Sequence, residues 1–273
     1  MYAPTFRARR RIAIAITLIA LSVVAFFVWL QDGRLANDAF LTGGIVLGCV
    51  LLLALFGARR RIPFLPVGTV STWTQVHIYT GLFAAGVYWM HVPSLIGNGV
   101  FECSLSLLFL LVTASGLYGL YASRTLPKRL TAVEGQHRFD RVDWHRNQIA
   151  DHARNLLDEL SDQAGIPVLG SYYGKYLNPF FNSRPSFAYV LMPTGARRRR
   201  LLNGLNDLNR YLESEDRGTS GRFAALVRRR DDLDYQFALQ LRLRWWVAFH
   251  SMFSLALVVG GIIHAIMAVR FAA

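Results

Sequence analysis

Residues 77–91 read HIYTGLFAAGVYWMH, and residues 250–264 read HSMFSLALVVGGIIH. Each segment opens and closes on a histidine, and neither has an acidic or basic residue between them. The two segments lie within longer apolar runs, 73–92 and 245–269. A hydrocarbon core about 30 Å thick needs roughly 20 apolar helical residues to cross it. Three more stretches have the same character: 12–30, 40–57 and 103–122. None contains Asp, Glu, Lys or Arg. Across the 273 residues 53% are hydrophobic and only 17% charged, which is low for a soluble domain. The expected fold class is therefore an all-α membrane protein with five transmembrane helices. The first stretch starts like a signal peptide, after Arg9, Arg10 and Arg11. Its apolar run is too long for one, and no small-x-small site follows Trp29, so a retained helix is expected.

The net charge of +13 would point to nucleic acid in a soluble protein. Here its distribution supplies another cause. With the N-terminus placed in the cytoplasm, only Arg34 and Arg270 of the 30 basic residues fall outside. Arg7 to Arg11 and Arg59 to Arg61 flank the first two helices on the inner side. Basic residues accumulate on the cytoplasmic side of membrane proteins, so residues 123–243 are expected in the cytoplasm and the C-terminus outside. The expected location is a bacterial inner membrane, and no nucleic acid partner is expected.

Three regions follow: helices 1–4 over residues 1–122, a cytoplasmic insert over 123–243, and the last helix over 244–273. Pro63 and Pro66 punctuate the inner loop between helices 2 and 3. The insert is expected to be mainly helical, with α+β as an alternative. Val142, Ile149, Ala153, Leu156 and Leu160 recur at helical spacing. Residues 166–193, rich in Gly, Pro and aromatics, read as short strands or loops. Arg198 to Ser214 reads as a helix, and another from about residue 220 runs on into the last membrane helix. There is no nucleotide-binding glycine motif, and the insert is too small for paired flavin and nicotinamide domains. Reductant must come from elsewhere. Cys49 and Cys103 fall at different depths, which argues against a disulfide.

The histidines carry the functional reading. His77 and His91 are 14 residues apart, as are His250 and His264. Fourteen steps of about 100° end about 40° short of four turns, so both histidines of a helix share a face, about 21 Å apart along the axis. The insert returns to its own side, so the two helices run parallel. His77 then shares a depth with His250, and His91 with His264. Two facing histidines can ligate one iron from both sides, leaving no position for oxygen, which favours electron transfer. The expected cofactors are two haem b groups, with these four residues as axial ligands. Ionisable groups within a bilayer are costly and mark function. Gly81, Gly86, Gly260 and Gly261 leave space for a porphyrin beside the histidines. Gly116 and Gly119 fit helix packing better. Arg244 and Arg270, six residues outside His250 and His264, are candidates for haem propionates. Trp73, Trp245 and Trp246 on the inner side, with Trp29 and Trp89 on the outer, read as interfacial anchors.

This H-x13-H pattern on two parallel helices resembles the diheme cytochrome b core of quinol–cytochrome c oxidoreductases. It is also similar to the membrane domain of ferric reductases and NADPH oxidases. The resemblance covers residues 73–270 without the insert, and the ligand spacing is its specific motif. It implies that His77, His91, His250 and His264 are the four axial ligands. The chain has no P-E-W-Y quinol-site motif and no flavin or nicotinamide domain.

The expected role is an electron-transfer subunit of an oxidoreductase complex, with no catalytic residues of its own. Its donor would be a quinol or a cytoplasmic reductase, and its acceptor a c-type cytochrome outside. Two rival readings are a haem or metal transporter and a non-redox scaffold whose histidines bond neighbouring helices. In the insert, His145 and His152 share a helix face beside Asp143 and Asp151, a pattern that could bind a metal; His137 lies upstream. The runs Arg197 to Arg200 and Arg228 to Arg230 suit anionic lipid headgroups or an acidic redox partner. Asp231, Asp232 and Asp234 are expected to pair with the second run.

Overall fold

The computed structural model describes residues 6–32, 38–59, 69–132, 135, 138–159, 166–212 and 214–271. Pro63, Pro66, His137 and Leu160 lie outside the described residues. Helices α1 (Phe6–Asp32), α2 (Asp38–Arg59), α3 (Val70–His91) and α4 (Val100–Thr131) come first. A short 3-10 turn, Phe139–Arg141, leads into α5 (Val142–Asp158) and α6 (Ile166–Tyr172). A π-helical stretch, Tyr173–Leu177, joins α6 to α7 (Asn178–Asn182). Then follow α8 (Phe187–Leu191), α9 (Ala196–Leu208) and α10 (Ser214–Phe271), the last 58 residues long. There is no strand among the described residues. The α+β alternative for the insert is therefore corrected to all-helical. Residues 166–193, read as strands or loops, form helical segments, because their aromatics are buried at helical intervals: Tyr173, Leu177, Phe180 and Phe181 all point inward.

The chain divides into two compact units, Met1–Tyr121 with Trp246–Ala273, and Ala122–Trp245. The five apolar stretches fall on α1, α2, α3, α4 and α10, in the first unit but for Ala122 and Trp245 at their ends. Among the described residues three helices are long and apolar enough to cross a membrane: Ala8–Leu30, Val100–Thr131 and Arg217–Phe271. Ala39–Leu55 is a shorter apolar helix. In α3 the apolar run is diluted by Ser71, Thr72, Thr74, Gln75, Tyr79 and Thr80. The outward faces of this unit are apolar: Ile19 is 63% exposed, Leu55 61% and Leu255 67%. Side chains of this kind, repeated along helix after helix, suit a lipid solvent rather than water.

Inside the first unit, Val50, Ala84, Tyr88, Phe109 and Leu257 form a buried cluster. Tyr88 stacks on Phe109 with ring centroids 4.1 Å apart, and its hydroxyl donates to the Leu95 carbonyl at 2.8 Å. Gly86 lets α1 approach α3: a Cβ there would lie 2.6 Å from Leu21 Cδ2. Its role is packing, which corrects the expectation that it clears space for a porphyrin. Gly260 likewise faces Leu105, at 3.0 Å from its Cδ1.

The second unit has its own core, built on Ile149, Ala153, Leu177, Phe181, Leu205 and Phe223. Val142, Ile149, Ala153 and Leu156 of the expected stripe are all buried. Under this core lies a charged network. Asp234 accepts from both Arg146 and Arg230, whose side chains are 5% and 1% exposed. Arg230 also donates to the Ser183 carbonyl at 2.7 Å. Of the expected acidic partners, Asp234 pairs within its own arginine run, whereas Asp231 and Asp232 pair with Arg198, at 3.6 and 2.9 Å. Burial pushes the Asp231 carboxyl above its usual range, although Arg198 and the Tyr189 hydroxyl pull the other way. Cys49 and Cys103 are both free thiols.

Candidate functional site: two facing histidine pairs

α3 and α10 bring His77, His91, His250 and His264 together two by two. The rings of His77 and His250 have centroids 6.3 Å apart and planes at 66°. Those of His91 and His264 are 6.4 Å apart, with planes at 78°. An imidazole nitrogen sits about 2.0–2.1 Å from a first-row metal and about 1.1 Å from its own ring centroid, so linear N–metal–N ligation spaces the centroids by roughly 6.2–6.4 Å. Both pairs have that spacing.

Each pair lines its own cavity. His77 and His250 border a space of ≈ 130 Å³, or ≈ 830 Å³ counted with its open mouth. His91 and His264 border a roomier one of ≈ 550 Å³, or ≈ 1540 Å³ with its mouth. Small-molecule and cofactor sites run from about 300 to 1,000 Å³, so the His91–His264 cavity, outer in the expected orientation, falls in range, and the His77–His250 cavity, inner in that orientation, reaches it only with its mouth included. Val50, Phe109 and Leu257 line both cavities and form the apolar wall between them.

Glycines shape the cavities in two ways. Gly81 borders the inner cavity and has nothing within 4 Å of where a Cβ would be. Gly261 borders the outer one, 3.4 Å from Leu47. Gly116 also lines the inner cavity, 3.8 Å from His250 Cε1, so it belongs to the site as well as to helix packing. Gly119 has the packing role expected of it: a Cβ there would meet Trp246 Cζ2 at 2.1 Å.

Two hydroxyls fix the histidine rings. Ser115 on α4 lies 2.7 Å from His250 Nδ1 and donates its one proton to the Val112 carbonyl at 2.8 Å. In the Nδ1–H tautomer of His250 the Ser115 hydroxyl accepts from the ring, and the lone pair of Nε2 is left for a ligand. Thr42 on α2 stands in the same relation to His91, 3.0 Å from Nδ1 and 3.3 Å from the Ala39 carbonyl. Such outer contacts are what orient metal-binding histidines. Gly43 clears the way, since a Cβ there would lie 2.9 Å from His91 Cε1. Trp246 stacks on His250, centroids 5.9 Å apart, while its indole N–H donates to the Ser115 carbonyl at 2.8 Å. It thus acts inside the bundle rather than as the interfacial anchor expected. Phe101 stacks on His264 at 6.3 Å.

Sequence reasoning missed Thr42, Gly43, Ser115 and Trp246. The signal was a hydroxyl followed by glycine in an otherwise apolar helix, Thr42-Gly43 and Ser115-Gly116. Such a dipeptide offers a hydrogen bond and close approach together.

The remaining candidates stand elsewhere. Arg244 belongs to the second unit, its guanidinium 4.0 Å from the centre of the Phe139 ring. Arg270 is exposed in the last turn of α10. His152 Nδ1 is 2.9 Å from the Gln148 carbonyl, and His145 sits edge-on to Trp144. Asp143 pairs with Arg146 and Arg184. No group of three or more His, Cys, Asp or Glu side chains is placed to hold a metal among the described residues.

No family model, curated protein or solved structure matches this chain.

Proposed function

We propose that this chain is a diheme membrane subunit that carries electrons across the bilayer, similar in its ligand plan to the cytochromes b. The observation that carries the reading is the double pairing. Two parallel histidine spacings meet face to face, each at the separation one metal requires and each beside its own cavity. A histidine that merely bonds a neighbouring helix has no need of a second histidine opposite.

His77 and His250 would hold the inner haem b, and His91 and His264 the outer. Bound there, haem would supply reversible one-electron chemistry. Ser115 and Thr42 hold the ligand rings in the tautomer that binds. Gly81, Gly116 and Gly261 leave room for the macrocycle, and Val50, Phe109 and Leu257 keep water out of the space between the two sites. Arg270 suits a propionate at the outer surface. All five apolar helices cross the membrane in this reading, with the N-terminus and residues 123–243 on the inner side of a bacterial inner membrane. The donor is a quinol or a cytoplasmic reductase, and the acceptor is a c-type cytochrome outside.

The test is a reduced-minus-oxidised spectrum of the purified protein with haem counted per chain. Two low-spin b haems are expected, and His77→Ala and His264→Ala should each lose one. A protein free of haem, from cells well supplied with it, would overturn the reading in favour of a transporter or a scaffold.

A further inference from the structure

The second unit exposes an apolar face that its own core does not use. In α8, Val190 is buried, and the half-buried Tyr189 donates its hydroxyl to Asp231 at 3.3 Å. Phe187, Ala188 and Leu191 are exposed, with Phe187 and Leu191 one turn apart, and the exposed Met192 caps the helix just after them. Phe187 is 64% exposed, Leu191 48% and Met192 75%. Three large apolar side chains clustered at the tip of one short helix form a contact surface rather than scattered exposure.

Two features say what covers it. The first is charge. Arg184 precedes the tip with its side chain 82% exposed, and α9 begins just after it with Arg197, Arg199 and Arg200 exposed. An apolar patch bracketed by cations has the composition that anionic lipid surfaces select. The second is continuity. Phe187 packs against Trp245, ring centroids 5.7 Å apart. Trp245 lies on α10, where the uncharged run 245–269 begins within a helix long and apolar enough to span a membrane. The aromatic patch therefore adjoins a residue at the start of a membrane-crossing segment.

We propose that the α8 face is a lipid anchor: Phe187, Leu191 and Met192 insert at the boundary between headgroups and acyl chains of an anionic bilayer, and the arginines bind the headgroups. The anchor does not depend on haem. The membrane helices hold the patch at high effective concentration near its target, so even a small insertion is populated. An acidic protein partner would suit the arginines, but it would leave the apolar tip in water.

The experiment uses the full chain in nanodiscs containing anionic lipid. With Cys49→Ala and Cys103→Ala as background, a bimane is attached at Met192→Cys or, independently, at Phe187→Cys. Tyr211→Cys, 79% exposed in the same unit, is the control. Doxyl-labelled lipid should quench the bimane at 192 and at 187 at least threefold more than at 211. Quenching equal to the control overturns the proposal. A bimane shielded from both doxyl lipid and aqueous iodide also overturns it, since the face is then covered by protein, whether a second copy or another chain.

Discussion

Ser115 is the residue whose position says most. Its hydroxyl reaches both the Val112 carbonyl and His250 Nδ1, and in the Nδ1–H tautomer it accepts from the ring. That bond makes the imidazole a stronger electron donor through Nε2. On the proposed reading, Ser115→Ala raises the midpoint potential of the inner haem by about 20–60 mV, the one-electron equivalent of an ordinary hydrogen bond, and leaves the outer haem unmoved. Redox titration resolves the two; a merely structural serine would shift neither. In the second unit the decisive residue is Asp234. Asp234→Ala leaves Arg146 and Arg230 buried without their shared carboxylate, and should destabilise that unit by about 3–5 kcal/mol in denaturant melts. Arg230→Met should cost less, because Arg146 keeps its partner. The histidine pairing was legible from spacing alone. The hydroxyls behind it were not, because a serine in an apolar helix also satisfies itself by bonding back to its own turn.

Among elements, the helices are where sequence and structure agree most closely, and their glycines are where they part. Uncharged runs and 3.6-residue periodicity located α1 to α5 and the long α10. They failed over residues 166–193, where glycine, proline and aromatics mimic turn chemistry. Burial of Tyr173, Leu177, Phe180 and Phe181 overrides that local preference. Gly81 and Gly86 of α3 looked alike in sequence, whereas Gly119 of α4 read as helix packing. In space Gly81 faces emptiness, Gly86 faces Leu21 and Gly119 faces Trp246. Their substitutions should therefore diverge. Gly81→Leu has room to fold but fills the inner cavity, so on the proposed reading the purified protein should carry one haem at normal yield. Gly119→Ala drives against Trp246 and should lower stability by about 1–3 kcal/mol, as overpacking does. Haem content and thermal melts of the two variants separate the effects.

For the whole molecule, the charge distribution predicts the orientation. A green fluorescent protein fused after Thr131 should fluoresce in intact cells, and alkaline phosphatase fused after Phe271 should be active. The opposite pair of results would invert the orientation that the arginines imply. What the sequence could not convey is that the two cavities differ. Both pairs have the same spacing along the chain, yet the outer space is about four times the inner, ≈ 550 against ≈ 130 Å³. Cavity size depends on neighbours such as α2 that carry no histidine and leave no mark on the ligand pattern.

The pairing His77–His250 and His91–His264 has a consequence for how the protein is made. In each pair 173 positions separate the partners. At about 5–20 residues per second of synthesis, α3 waits roughly 10–35 s on the ribosome before its partner helix exists. During that interval the nascent chain presents two half-sites and no complete one. Both are then finished by a single element, α10. A chain cut short before residue 250 therefore holds neither pair, and on the proposed reading no cofactor site is complete until α10 has been made.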